Sequence, residues 1–190
     1  MKEFLKSYTD TVSETIANID AQEFQKAINI LIDCYKNDRQ VFITGNGGSA
    51  GTANHFVCDF GKNAVQKKGQ RRFRIISLAD NVEKITAFGN DVRFEEIFSQ
   101  QLENLMNEGD ALIVVTASGT SPDLIPACEF VKAKNGKVIG LTGFAGGKVK
   151  DYSDAHLNVP LTSYEQIEDI HLMFLHMFVC YFKAHPEALY

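Results

Sequence analysis

What this sequence lacks narrows it first. No apolar run in its 190 residues approaches the ~18 needed to span a membrane. Met1–Asp10 is charged and polar, unlike a secretory leader. The four cysteines, Cys34, Cys58, Cys128 and Cys180, form no CxxC pair and no framework spacing. They read as reduced, mostly buried thiols of a cytoplasmic protein. Positive charge is not in surplus: 19 Lys and Arg face 24 Asp and Glu, which argues against a nucleic-acid protein held by bulk electrostatics. There are no internal repeats and no low-complexity linkers. What remains is one domain of ordinary size, with 45% apolar residues to build its core.

Along the chain, two amphipathic helical segments come first. Phe4, Leu5, Tyr8, Val12, Ile16 and Ile19 recur at helical spacing over Lys2–Ile19. Asp20 can cap a second helix that turns Phe24, Ala27, Ile28, Leu31 and Ile32 to one face. The pair suits packing on a sheet or against a second subunit. From about Gln40, strands and helices alternate. Strands are expected at Val41–Gly45, Arg74–Asp80, Ala111–Val115, Lys137–Thr142 and His156–Pro160. Helices are expected from Ser49, at Asn81–Phe88, Phe94–Met106 and Leu124–Lys134, and from Ser163 to about Lys183, with a turn at Gly89–Asp91. Lys62–Arg74 reads as a basic, solvated loop. Such alternation gives a mostly parallel sheet with helices on both faces.

The chain is organised around Val41–Asp59. An apolar strand breaks at Gly45-Asn46-Gly47-Gly48, where glycines allow positive φ and close approach of a ligand. Ser49 can cap the helix that follows, whose free N–H groups suit a phosphate. The acidic residue that a dinucleotide fingerprint requires about 20 residues on is absent, and no Gly-Lys-Ser/Thr follows as in a Walker loop. His55 and Asp59 share a face of this helix. A second hydroxyl-rich loop, Thr116-Ala117-Ser118-Gly119-Thr120-Ser121, follows another strand, with Ser121 as cap and Pro122 in the first helical turn. Two such loops at the carboxyl ends of two strands point to a phosphate pocket. On the last, very apolar helix, Glu168 and His176 lie on nearly the same face. Two carboxylates and two histidines on two helices suit either a tetrahedral zinc site or an acid/base set without metal.

These residues occur in the order seen in phosphoheptose isomerases of the sugar-isomerase (SIS) domain superfamily. The resemblance rests on Gly45–Ser49, His55-Phe56, Gly89–Asp91, Gly109-Asp110, Ser118–Ser121, Gly140–Gly143 and Ile167–His176, and covers about residues 20–183. It implies a single SIS domain over 1–190: N-terminal helices 1–38, a flavodoxin-like α/β core 40–160 with five strands, and a C-terminal helix 163–183. It also implies a homotetramer with sites between subunits, and conversion of a ketose phosphate to aldose phosphates through an enediol, with no nicotinamide, flavin or nucleotide. The family's phosphate positions fall, with Gly47 and Gly48 in the loop, on Ser49, Thr116, Ser118, Thr120 and Ser121. Asn46 and Asp91 match positions along the sugar chain. The zinc positions fall on His55, Asp59, Glu168 and His176, with Asp59 the general base, His176 the acid/base and Glu168 also near substrate.

The sequence departs from the family pattern in four places. Asp59 replaces a longer Glu, Glu168 replaces Gln, Asn63 stands where an Arg is usual, and Gln100-Gln101 replaces Arg-Gln. Two other functions are weighed beside the isomerase: an enzyme for a different sugar phosphate, and a non-catalytic scaffold of the type that binds the replication initiator. Retention of both histidines with two carboxylates favours chemistry.

Overall fold

A computed structural model describes residues 1–190. Two helices, α1 (Lys2–Ala17) and α2 (Ala21–Lys36), precede β1 (Gln40–Gly45), α3 (Gly48–Asn63), β2 (Arg74–Ser77), α4 (Val82–Asp91) and α5 (Ser99–Leu105). They are followed by β3 (Ala111–Thr116), α6 (Leu124–Ala133), β4 (Lys137–Gly143), β5 (Ala155–Val159) and α7 (Tyr164–Ala184). The five strands are all parallel, in the order β2-β1-β3-β4-β5. That is the flavodoxin-like order. Its reversal between β1 and β3 opens a crevice at their carboxyl ends.

β1 and β3 are buried at every position, as parallel strands covered on both faces must be. Alternation divides their side chains. Val41, Ile43, Ile113, Val115, Ile139 and Leu141 meet α2, α3 and α7 in one core. Phe42, Leu112, Val114 and Val138 meet α5 and α6 in the other. The first core is the larger, with 30 buried residues against 14, so the helices bearing the candidate histidines rest on the better-filled side.

Several local expectations are corrected. Ser49 is not a cap: α3 starts at Gly48, its N-cap is Gly47 at φ 52°, and Ser49 is buried in the first turn. A Cβ at Gly45 would stand 2.6 Å from the Val115 carbonyl, so only glycine lets the chain turn this tightly against β3. Gly89–Asp91 closes α4 as helix rather than turn. Phe94–Met106 divides into a 3₁₀ turn (Phe94–Glu96) and α5. Pro122 and Asp123 form a turn before α6, where Ser121 offers its carbonyl, not its side chain, to Leu124 N–H. Two of the four thiols, Cys58 and Cys180, are exposed. Each sits two residues from inward-facing phenylalanines, Phe56 and Phe60 or Phe178 and Phe182, and so faces outward.

Asp20 caps α2 as expected, accepting from Gln22 and Glu23 N–H. α2 lies along the sheet, and the Glu23 carboxylate accepts the His156 N–H of edge strand β5 at 2.8 Å. α1 buries no residue. It is tied to α7 by Tyr8, whose hydroxyl donates to Asp169 at 2.8 Å and whose carbonyl accepts from Gln166 Nε2 at 3.4 Å.

One hydrogen bond fastens the middle of α7 to the sheet. His171 is fully buried, and its Nε2 lies 3.0 Å from the Thr142 carbonyl, so it is the protonated nitrogen. Nδ1 has no partner. Burial pushes the imidazole pKa down to about 4 from an ordinary 6.5, against the pull of the Thr142 carbonyl. The unfolded chain therefore gains a proton below pH 6.5 that the folded chain refuses until about pH 4. Stability is lost as pH falls through that window, by roughly 3 kcal/mol from this residue. Urea unfolding at stepped pH should show this slope in the parent. It should be shallower in His171→Leu between pH 6.5 and 4, where the buried imidazole no longer contributes.

A histidine–aspartate triangle beneath a glycine-rich cradle

α3 and α7 lie side by side on the sheet and run in the same direction. Their starts meet where a Cβ on Gly48 would come 2.8 Å from Glu168 Oε2. Further along, His55 and Asp59 of α3 meet His176 of α7. The His55 and His176 Nε2 atoms are 3.0 Å apart, and Asp59 Oδ2 lies 3.3 Å from the first and 3.5 Å from the second. The imidazoles stand edge to face, at 71°. The other Asp59 oxygen accepts from Asn63 Nδ2 at 3.4 Å, one turn along α3. Asp59, though short, reaches both imidazoles.

Two neutral imidazole nitrogens at this distance can share at most one proton, whereas a cation would take both lone pairs and the carboxylate oxygen. A tetrahedral ion with bonds of about 2.0–2.1 Å has ligand atoms about 3.3 Å apart. The triangle of 3.0, 3.3 and 3.5 Å fits three corners of such a site. Glu168 is not among these donors. Its eight-residue separation from His176 leaves about 12 Å of axial rise and about 80° of rotation between them. Within one chain, then, the expected four-residue set is three residues and a separate carboxylate beside the cradle.

The cradle is the start of α3. Gly47 and Gly48 are exposed, and the N–H groups of Gly48 and Ser49 donate to no backbone carbonyl. These are the orphan donors of a helix N-terminus, where an anion is favoured. The loop after β3 lies at the same sheet edge. Thr116 Oγ1, buried, accepts from Gly119 N–H at 3.2 Å, and Ser118 Oγ accepts from Thr120 N–H at 3.3 Å. Both hydroxyls keep a proton to donate. Thr120 is exposed and Ser121 half-buried. Gly119, at φ 66°, is pressed so closely on Gly146 that a Cβ would meet its carbonyl at 2.2 Å. Asp91 is exposed at the end of α4, and its hydrogen-bond partner is Asn90.

Two residues were not foreseen as part of the site. Asn63 appeared only as a substitute for a family arginine, yet it braces Asp59. Asp123 is fully buried and accepts from Asn46 Nδ2 through both oxygens. The one hint was a carboxylate closing an otherwise uncharged loop. The largest cleft, about 650 Å³, lies elsewhere, between the α1–α2 turn and β5, and is lined by Glu14, Asp20, Glu23 and His156. Its carboxylates repel an anion, so the cradle is the better phosphate site. A groove of about 370 Å³ between α1 and α7 borders His176.

Residues 3–143 match the family model of the SIS domain. The chain is 33% identical to the phosphoheptose isomerase of Aliarcobacter butzleri over 177 residues, 93% of this chain and 91% of that one. It is also 33% identical over 177 residues to that of Helicobacter pylori (strain P12), covering 93% and 90%. The solved phosphoheptose isomerase of Francisella tularensis superposes with a TM-score of 0.87 at 28% identity, covering 96% of each chain.

The triangle makes a direct prediction for the isolated protein. Calorimetric titration with cobalt(II) should lose more than about 100-fold in affinity in His55→Ala or His176→Ala, beyond the cost of removing an outer hydrogen-bond partner. Glu168→Gln should stay within about threefold of the parent. Equal losses in all three would return Glu168 to the donor set.

Proposed function

The chain belongs to the phosphoheptose isomerases of the SIS-domain family, and from that premise we propose that it converts sedoheptulose 7-phosphate to D-glycero-D-manno-heptose 7-phosphate. It is a sugar-phosphate isomerase. The observation that carries the reading is that one helix, α3, bears both the anion cradle and two corners, His55 and Asp59, of the triangle that His176 of α7 completes. Gly48 and His55 are separated by about 10 Å of helix, a span suited to a long sugar with phosphate at one end and the reacting carbons at the other.

In this reading the cradle, Gly47, Gly48 and Ser49, holds the phosphate together with the hydroxyls of Thr116, Ser118, Thr120 and Ser121. Asn46, Asp91 and Glu168 line the sugar chain. Asp59 takes the proton from C1 of the ketose. Its Oδ2 belongs to the triangle, and its Oδ1, braced by Asn63, is the accepting atom. His176 moves a proton between the C1 and C2 oxygens, and return of a proton to C2 completes the aldose. A zinc ion held by His55, Asp59 and His176 would supply polarisation of the carbonyl. Nothing in this chemistry calls for a nucleotide or flavin.

The proposed protein is cytoplasmic and homotetrameric and binds neither nucleic acid nor membrane. Its unpaired thiols and net negative charge support the first and last of these, and no helix is long and apolar enough to cross a membrane. The apolar residues Phe4 and Leu5 of α1, 64% and 55% exposed, offer a face for assembly. Glu168, whose charge sits beside the cradle, favours a second reading, an isomerase for another sugar phosphate.

Turnover of sedoheptulose 7-phosphate followed by NMR in D₂O separates the readings. The expected result is an aldose carrying deuterium at C2, with activity lost on metal stripping and restored by zinc. Asp59→Asn and His176→Ala should each lower kcat by about 10²–10⁴-fold. Activity indifferent to stripping removes the metal from the scheme, and turnover of a different phosphosugar alone replaces the substrate.

A further inference from the structure

The two loops that flank the crevice are joined by one buried polar contact. Asp123, just before α6, is fully buried, and its oxygens accept from Asn46 Nδ2 at 3.0 and 2.8 Å. Burial raises its pKa, the Asn46 amide and its own backbone N–H oppose that rise, the Glu95 charge adds to it, and no cation contributes. A buried carboxylate without a cation is costly unless hydrogen-bonded, and the Asn46 amide is its side-chain donor.

The contact has a direction. An ionised carboxylate only accepts, whereas an asparagine amide has a donating and an accepting end that look alike in shape. Asp123 can therefore take only the NH₂ end of Asn46. Gly45 and Gly47 on either side carry no side chain that could set the amide instead.

We propose that Asp123 is a positioning residue: it holds Asn46 so that Oδ1, rather than Nδ2, faces the crevice, making this point an acceptor that reads a sugar hydroxyl. The inference rests on the isomerase reading for the presence of a sugar phosphate there. It adds a rule of selection. A hydroxyl at that point is accepted, and a carbonyl or a second anionic group meets an acceptor and is refused.

The test compares the parent with Asp123→Asn, Asn46→Ala and the double variant. Asparagine at 123 has both a donor and an acceptor, so it no longer dictates which way Asn46 turns. KM for sedoheptulose 7-phosphate should rise about tenfold in Asp123→Asn, the effect of one hydrogen bond, with kcat within about twofold. Affinity for inorganic phosphate, measured by calorimetry, should be unchanged in that variant. The double variant should be no worse than Asn46→Ala alone, because Asp123 acts through Asn46. A parent-like KM in Asp123→Asn, phosphate affinity falling in step with KM, or additive losses in the double variant would each overturn the inference. If the parent binds sedoheptulose 7-phosphate without turning it over, the same ratios are read from dissociation constants, and only the isomerase reading fails. A parent that binds phosphate but no sugar phosphate overturns this inference as well.

Discussion

Phe56 and Phe60 on α3 meet Phe178 and Phe182 on α7 edge to face, with ring centroids 6.5 and 5.8 Å apart. This dry seam fixes how the two helices are rotated against each other. His55 precedes Phe56 and Asp59 precedes Phe60, so the rotation that buries the rings also brings the polar pair toward His176. The triangle has no scaffold of its own. It depends on aromatic packing beneath it and on the His171–Thr142 bond that pins α7 to β4. A site whose members come from two elements holds its geometry only as well as those elements hold each other.

Much of this was legible in the sequence, for reasons that differ by residue. The strand before Gly45 and the helix after it are local features: a β-branched apolar run, a glycine break and a helical period. The parallel sheet followed from the alternation of strands and helices, and its flavodoxin-like arrangement from the family resemblance. Ser49 misled because a hydroxyl after glycines resembles a cap, while the tight approach of Gly45 to β3 starts the helix one residue earlier. Glu168 shares a helical-wheel direction with His176, but the wheel discards distance along the axis, and within one chain Glu168 lies beside the cradle and outside the triangle. Asp123 could not be found from local pattern. Its partner Asn46 is 77 residues away, and the contact exists only because β1 and β3 are neighbours.

The charges around the crevice have a common logic. Asp59 is shared by two imidazoles and braced by an amide. Asp123 is buried against an amide. Glu168 stands at the mouth of the cradle, on the side where orphan N–H groups await an anion. Two carboxylates are thus held by partners within the chain, and the third is left where an arriving phosphate must come to terms with it. The Glu that stands for Gln at 168 therefore adds a negative charge at the cradle end of the site, outside the triangle.

At the far edge of the sheet, Glu23 reaches across from α2 and takes the outward N–H of His156 in β5. The opposite edge, β2, is four residues long and starts at exposed Arg74, two residues after exposed Arg72. A strand whose outward amide is engaged, and another that is short and flanked by cations, are poor templates for a further strand. The carboxylate that docks α2 on the sheet is thus also the group that closes the sheet's edge, so one side chain both assembles the fold and keeps its backbone to itself.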